Sequence, residues 1–281
     1  MFRSLPQELI ERARASVGTM PVPARHSATV VVLRDAPGHG VETYLLRRLR
    51  SLHFAPGMYV FPGGSVDPAD GAGDLQWVGP SPSQWAAALS ADEPLTRALV
   101  CAAVRETFEE CGVLLAGPDA SSVVAVDESW AADRAALQSG EVTLTNLLVR
   151  RSLSLRVDLL APWAHWVTPE FEPKRFDTRF FVAALPAGQV PEHFDGESDL
   201  GEWVRPAEAL QRQAEQQIAM LPPTAFTLAE LAEFGTVAEV LAAAAARDIQ
   251  RMLPKVIVTG DDVRLLLPGD EGYPADLDTE R

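Results

Sequence analysis

The stretch VRETFEECGV, Val104 to Val113, restricts this chain more than any other. On an α-helix Glu106, Glu109 and Glu110 fall at i, i+3 and i+4, so three carboxylates leave adjacent turns on one face. Leu95, Leu99, Ala102, Ala103 and Phe108 recur near helical spacing before and among them, which predicts a partly buried helix from about Pro94 to Cys111, capped by Gly112. Like charges so arranged repel. A helix tolerates them most readily where divalent cations gather the oxygens, and hard oxygen ligands favour Mg2+ or Mn2+ over zinc. Arg105 precedes Glu109 by four residues, a spacing that permits an ion pair. Taken alone, an arginine and several acids on one helix read more readily as a solvated charged face. The glycine bend of FPGG upstream favours the other reading, because there the backbone carbonyl of Gly63 can approach a metal as a further oxygen ligand.

RETFEECGV resembles the second half of the Nudix box, G-x5-E-x7-R-E-U-x-E-E-x-G-U with U aliphatic, and GGSVDPAD resembles its first half. Gly64 stands for the first glycine and Asp70 replaces the first glutamate. Thr107 occupies an aliphatic position, and 34 residues separate Asp70 from Arg105 in place of a short spacer. An interrupted box of this kind is similar to the Nudix subgroup that includes the mammalian peroxisomal coenzyme A diphosphatase. YLLRRLRSLHFAPGMYVFPGG and TPEFEPKRFDTRFFVAAL look like that subgroup as well, so the likeness covers most of Ser27 to Leu210.

The resemblance implies an α/β chain of the α+β kind, a Nudix α/β/α sandwich with a mixed sheet. It implies metal-dependent hydrolysis of a nucleoside diphosphate linked to another moiety, by attack of water on phosphorus. Arg105, Glu106, Glu109 and Glu110 are then the catalytic candidates, and Gly63, Glu106, Glu109 and Glu110 the metal ligands. Glu197, six residues before Trp203 in DGESDLGEWV, sits at a spacing similar to that from which the family draws a further metal ligand or base; Glu170 and Glu172 compete for the base role.

Two basic clusters stand out in a chain of net charge −15: Arg47, Arg48 and Arg50 before the glycine bend, and Lys174, Arg175 and Arg179 later. Both could grip phosphates, Arg48, Arg50 and Arg175 foremost. Arg48 lies nine residues before Gly57, the place of an arginine in the coenzyme A signature of related Nudix enzymes, although Leu49 and His53 depart from it. Coenzyme A or acyl-coenzyme A is therefore the leading substrate. The alternatives are an ADP-ribose or NADH pyrophosphatase, or a Nudix module that binds a ligand or partner without turnover.

The acidic balance argues against a nucleic-acid or anionic-membrane binder. No apolar run approaches the ~20 residues of a membrane-spanning helix, and no secretory signal is recognised. With two cysteines, ten residues apart on one expected helix, a reducing cytoplasmic setting is the expectation. The organisation expected is an N-terminal helix and lead-in over 1–26, with Ser4 and Gln7 as a capping box. A catalytic domain follows over 27–210 with an insertion at about 71–93, then a helical extension over 211–281 that ends in a hairpin. SATVVVL and VETYLL read as a hairpin, DGESDLGEWV as a charged loop, and VAEVLAAAAARDIQRML as one helix. The C-terminal helices could close a pocket or form a homodimer interface.

Overall fold

The β-branched run after Ser27 becomes the sheet's central strand, and its alternation sets the two layers. In a computed structural model, residues 7–274 are described apart from His39, His53, Asp195, Gly260 and Asp261. In chain order, α1 (Gln7–Ala15) leads to β1 (Arg25–Asp35), β2 (Val41–Arg48), β3 (Tyr59–Val60), β4 (Gly63–Ser65) and β5 (Trp77–Val78). Next come α2 (Pro82–Leu89), α3 (Glu93–Cys111), β6 (Ala116–Gly117), α4 (Ala131–Gln138), α5 (Leu144–Arg150) and β7 (Ser154–Arg156). The strands β8 (Ala161–Val167), β9 (Phe176–Ala184) and β10 (Ser198–Val204) precede α6 (Pro206–Ala214), α7 (Pro222–Leu231) and α8 (Val237–Ala245). The described chain closes with β11 (Arg251–Met252), β12 (Lys255–Thr259) and β13 (Asp262–Leu266).

The main sheet runs β10-β2-β1-β9-β8-β11, with β3 attached to β2 and β4 to β1. It is mixed, since β1 is antiparallel to β2 but parallel to β9. Successive side chains of a strand point to opposite faces. Ala28, Val30 and Val32 accordingly join Leu99, Ala103 and Phe108 of α3 in one core, while Val31 and Leu33 join Trp163, Leu228 and Val240 in the other. This is the expected α/β/α sandwich, with α3 on one side and the C-terminal helices on the other.

The long insertion is folded onto the sheet. Ser81 caps α2 in a capping box, and Trp85 stacks on Phe181 with ring centroids 6.0 Å apart. Arg179 donates to the carbonyls of Leu89 (2.8 Å) and Ser90 (3.2 Å), which ties the end of α2 to β9.

Three readings of the sequence change. Ser198–Val204, expected as loop, is the edge strand β10; a register shift between Ser198 and Leu200 breaks the alternation that would have revealed it. The helix expected to run through Leu253 stops at Ala245, and Arg251–Met252 instead pair in parallel with His165 and Trp166 of β8. The half of the first capping box at Ser4 lies outside the described residues. The hairpins β1–β2 and β12–β13 form as read. Among the described residues no helix is long and apolar enough to cross a membrane.

Phe108 is fully buried and edge-on to Trp130, so it anchors α3 from below. Phe108→Ala should reduce unfolding free energy by about 3–5 kcal/mol, read as a lower urea midpoint. An unchanged midpoint would mean that α3 is held by something other than this packing.

Candidate active site

Helix α3 begins at the Asp92 N-cap, whose carboxylate accepts from the Leu95 N–H, and ends at Gly112 in the left-handed conformation (φ 71°). Between these caps one face carries the core residues, and the facing turns carry the acids. The short strand β4 runs beside β1 with Thr29 opposite Gly63 and Ala28 opposite Gly64, and this brings the glycine bend against the acids. The Gly63 N–H donates to Glu110 Oε2 at 2.8 Å. At Gly64 an added Cβ would overlap the Glu106 carboxylate, so only glycine lets that side chain lie where it does.

Arg105 occupies the centre. Its Nε and Nη2 donate to the two Asp70 oxygens, each at 2.9 Å, and Nη2 also reaches the Ser65 carbonyl at 2.9 Å. Its Nη1 contacts Glu106 Oε1 at 2.9 Å and Glu109 Oε2 at 3.1 Å. Burial works against the guanidinium charge, but the Asp70 hydrogen bonds and the surrounding carboxylates raise its pKa above the usual arginine value. Asp70, which replaces the glutamate of the Nudix box, thus forms a two-bond clamp across the insertion. Thr107 is buried on the core side, and its hydroxyl donates to the Ala103 carbonyl at 2.7 Å, which resolves the polar residue at an aliphatic position.

The acids differ in environment. Burial pushes Glu106 up to about 7, opposed by Arg105. Burial raises Glu109 too, again opposed by Arg105. Glu110 is raised well above the ordinary value by burial and then by Glu106, with the Gly63 N–H pulling the other way. Glu197, at the mouth of β10, has a side chain 65% exposed, 3.8 Å from Arg48 Nη1. Its charge raises both Glu109 and Glu110, so it faces the same site.

Among the described residues no three His, Cys, Asp or Glu side chains are drawn into a metal-holding cluster. The cation at the centre is Arg105, which shares one nitrogen between Glu106 and Glu109. The donor chemistry nevertheless fits a hard divalent ion, since these are buried carboxylate oxygens with raised pKa beside a glycine bend. The Gly63 contact seen here is its N–H orienting Glu110, where the sequence suggested its carbonyl as a ligand.

Arg48 remains beside this site, its Nε donating to the Phe54 carbonyl at 3.2 Å. Arg50 is exposed. Arg175 is corrected: it is buried and donates to the carbonyls of Thr168 (3.0 Å) and Val22 (2.8 Å), so it braces backbone and cannot present a fork to a phosphate. Arg179 is buried likewise against Asp177 and α2, and Lys174 lies over the rings of Phe54 and Phe176. Glu170 pairs with Lys255 at 2.8 Å and Glu172 with Arg12 at 2.6 Å. No local pattern pointed to Arg134 and Gln138, which hold the Glu109 carbonyl at 2.9 and 2.6 Å from α4.

The family model described as the NUDT19 Nudix domain matches residues 83–231. The Gallus gallus protein named acyl-coenzyme A diphosphatase NUDT19 is 28% identical, over 90% of this chain and 81% of its own. The Homo sapiens protein of the same name is 29% identical, over 87% of this chain and 76% of its own. The crystal structure of a NUDIX hydrolase from Alicyclobacillus acidocaldarius superposes with a TM-score of 0.66 at 27% identity, covering 79% of this chain and 96% of that one.

A carboxyl whose folded pKa exceeds its unfolded value binds more protons in the folded chain between the two. Stability from Glu106 and Glu110 is therefore greatest at or below the ordinary carboxylate range and is lost as pH rises above that range, through about 7 for Glu106. Urea midpoints of metal-free protein should fall between pH 5 and 7.5, and Glu106→Gln should flatten part of that fall; midpoints that rise over the same interval would contradict the burial of these acids. Gly64→Ala should displace the Glu106 carboxylate and lower turnover, on the order of tenfold or more, while a rate equal to wild type would show that its position is not required.

Proposed function

The chain belongs to the NUDT19 Nudix domain family and is a Nudix pyrophosphohydrolase, and from that premise we propose that it cleaves the diphosphate of coenzyme A or acyl-coenzyme A. The observation that carries the reading is the seating of Glu106 and Glu110 against Gly64 and Gly63, with Arg105 bridging the acids. The names of the relatives and the position of Arg48 support the substrate class.

Glu106, Glu109 and Glu110 would hold Mg2+ or Mn2+, with Glu197 as a further ligand or base. When bound, the cation neutralises diphosphate charge and lowers the pKa of an attacking water. The protein's own contribution is positioning. Arg105 stays charged and orients two of the acids, and the Gly63 N–H fixes the third. Arg48, a guanidinium about one-fifth exposed, faces Glu197 and offers a positive fork to an anionic substrate. Glu197 is solvent-accessible, as a group that takes a proton from water requires. The products are phosphopantetheine, or its acyl form, and 3′,5′-ADP. Two buried free thiols, Cys101 and Cys111, both pushed up to about 12 by burial, are in keeping with a reducing cytoplasmic setting.

A substrate panel with products identified by mass tests the reading. Coenzyme A should yield 3′,5′-ADP in the presence of Mg2+ or Mn2+, whereas AMP released from ADP-ribose or NADH with coenzyme A untouched would reject the substrate. Glu109→Gln should cost on the order of a hundredfold in kcat with the fold kept, and unchanged turnover would remove Glu109 from the machinery.

A further inference from the structure

The last turn of α3 carries Glu109 and Glu110, and a helix end leaves its final carbonyls without partners inside the helix. Here other segments take them up. The Phe108 carbonyl accepts from the Gly112 N–H at 3.0 Å. The Glu109 carbonyl accepts from Arg134 Nε at 2.9 Å and from Gln138 Nε2 at 2.6 Å, two side chains one turn apart on α4. The Cys111 carbonyl accepts from the Glu192 N–H at 2.9 Å.

Arg134 reaches beyond the helix end. Its Nη2 donates to the Glu192 carbonyl at 3.0 Å, and its guanidinium carbon lies 5.6 Å from the centre of the Phe194 ring. One planar group thus holds both the end of α3 and the loop that leads to Glu197, through donors that diverge at a fixed angle. At the Gly112 cap an added Cβ would come within 3.3 Å of Arg134 Nη1, so glycine leaves room for the guanidinium. Burial lowers the pKa of Arg134, and its place at a helix C-terminus, where the dipole favours a cation, offsets part of that cost.

Glu197 itself belongs to the edge of the sheet. Its carbonyl accepts from the Leu49 N–H at 2.9 Å, just past β2. The Phe194 carbonyl accepts from the Gly196 N–H at 2.9 Å and from Ser198 Oγ at 3.5 Å, which closes a turn around it. Tyr44 of β2, edge-on to Trp203 at 5.4 Å, takes a backbone hydrogen bond from His193 on the same loop. The helix acids and Glu197 therefore stand on separate elements, and Arg134 together with the Glu192 N–H joins the two.

We infer that Arg134 is a positioning residue that fixes Glu197 relative to Glu109 and Glu110, acting through the Glu109 and Glu192 carbonyls and away from the reacting atoms. Helix α4 has other anchors: Leu137 is buried, and Asp133 pairs with Arg150 and Arg151. Gln138 also keeps the Glu109 carbonyl capped if Arg134 is removed. Loss of the guanidinium should then loosen the loop and leave the helices in place. The inference deepens the diphosphatase reading and rests on it in one respect, since the spacing matters to turnover only if the helix acids and Glu197 act together.

Arg134→Met and Arg134→Lys in the full chain test the mooring and its consequence separately. In the metal-free protein, amide hydrogen exchange over 192–198 should quicken at least about fivefold in Arg134→Met, with exchange around Leu99 unchanged; wild-type exchange over 192–198 would overturn the mooring. Calorimetry with Mn2+ and no substrate should show affinity lowered about tenfold by Arg134→Met and by Glu197→Gln, and no further in the double variant. Losses that multiply would mean that Arg134 does not act through Glu197. With coenzyme A, Arg134→Met should lower kcat on the order of tenfold while KM stays within about threefold, and Arg134→Lys, whose ammonium can reach one carbonyl, should recover part of kcat. If wild type neither binds Mn2+ nor cleaves coenzyme A while exchange still quickens in Arg134→Met, the diphosphatase reading falls and the mooring stands. If wild type cleaves coenzyme A and Arg134→Met matches it in exchange, Mn2+ affinity and kcat, the positioning role falls and the diphosphatase stands.

Discussion

Everything at the candidate site turns on the guanidinium of Arg105. One side chain joins three chain segments that are far apart in sequence: the glycine strand through the Ser65 carbonyl, the start of the insertion through Asp70, and its own helix through Glu106 and Glu109. A buried guanidinium is costly unless its donors are used. Here the carboxylates supply the acceptors, and the guanidinium in turn makes it tolerable to bury Glu106 and Glu109. Glu110 is left outside this exchange, with the Gly63 N–H as its hydrogen-bond partner among the described residues and a pKa raised well above normal. The site is therefore held in a state that favours an added positive charge.

The same guanidinium explains how a motif survives being cut in two. The insertion between Asp70 and Arg105 lengthens the chain but not the distance, since the Asp70 clamp closes both of its ends onto one side chain. Loop-closure entropy grows only slowly with length. Much of the added chain is also ordered by contacts of its own: Trp85 on Phe181, α2 tied by Arg179, and β5 paired with β7. The exchange of glutamate for aspartate at position 70 is matched by an Asp67 N–H bond to the same carboxylate, which holds the shorter side chain in reach of Arg105.

What the sequence disclosed follows from how local each determinant is. The period of α3, its Gly112 cap and the glycine bend are short-range, and the β1–β2 hairpin lies between two apolar runs with a turn. Those features were legible. The edge strand β10 was hidden because its bulge breaks the alternation, and β11 because two residues pair with a strand more than 80 positions earlier, which no local pattern encodes. Charge was the least legible property. Arg48, Arg175 and Arg179 look alike in sequence, but Arg175 and Arg179 are turned inward to saturate backbone carbonyls while Arg48 keeps a carboxylate neighbour at the site. Whether an arginine serves structure or ligand depends on which unpaired oxygens the fold brings near it.

That distinction also bears on how an acidic chain can handle an anionic substrate. With a net charge of −15, long-range attraction does not draw a diphosphate in, so the work falls to cations placed at short range. The end of β2 places them on two faces, because strand alternation sends adjacent arginines to opposite sides. Asp199 and Glu197, one beyond the other on the neighbouring strand and its mouth, pair with Arg47 and Arg48 respectively and hold the two guanidiniums apart. The acids thus serve as spacers for the cations on this edge, as Arg105 serves as spacer for the acids on α3. Opposite charge at contact distance is the means by which each cluster of like charge is kept assembled before a ligand arrives.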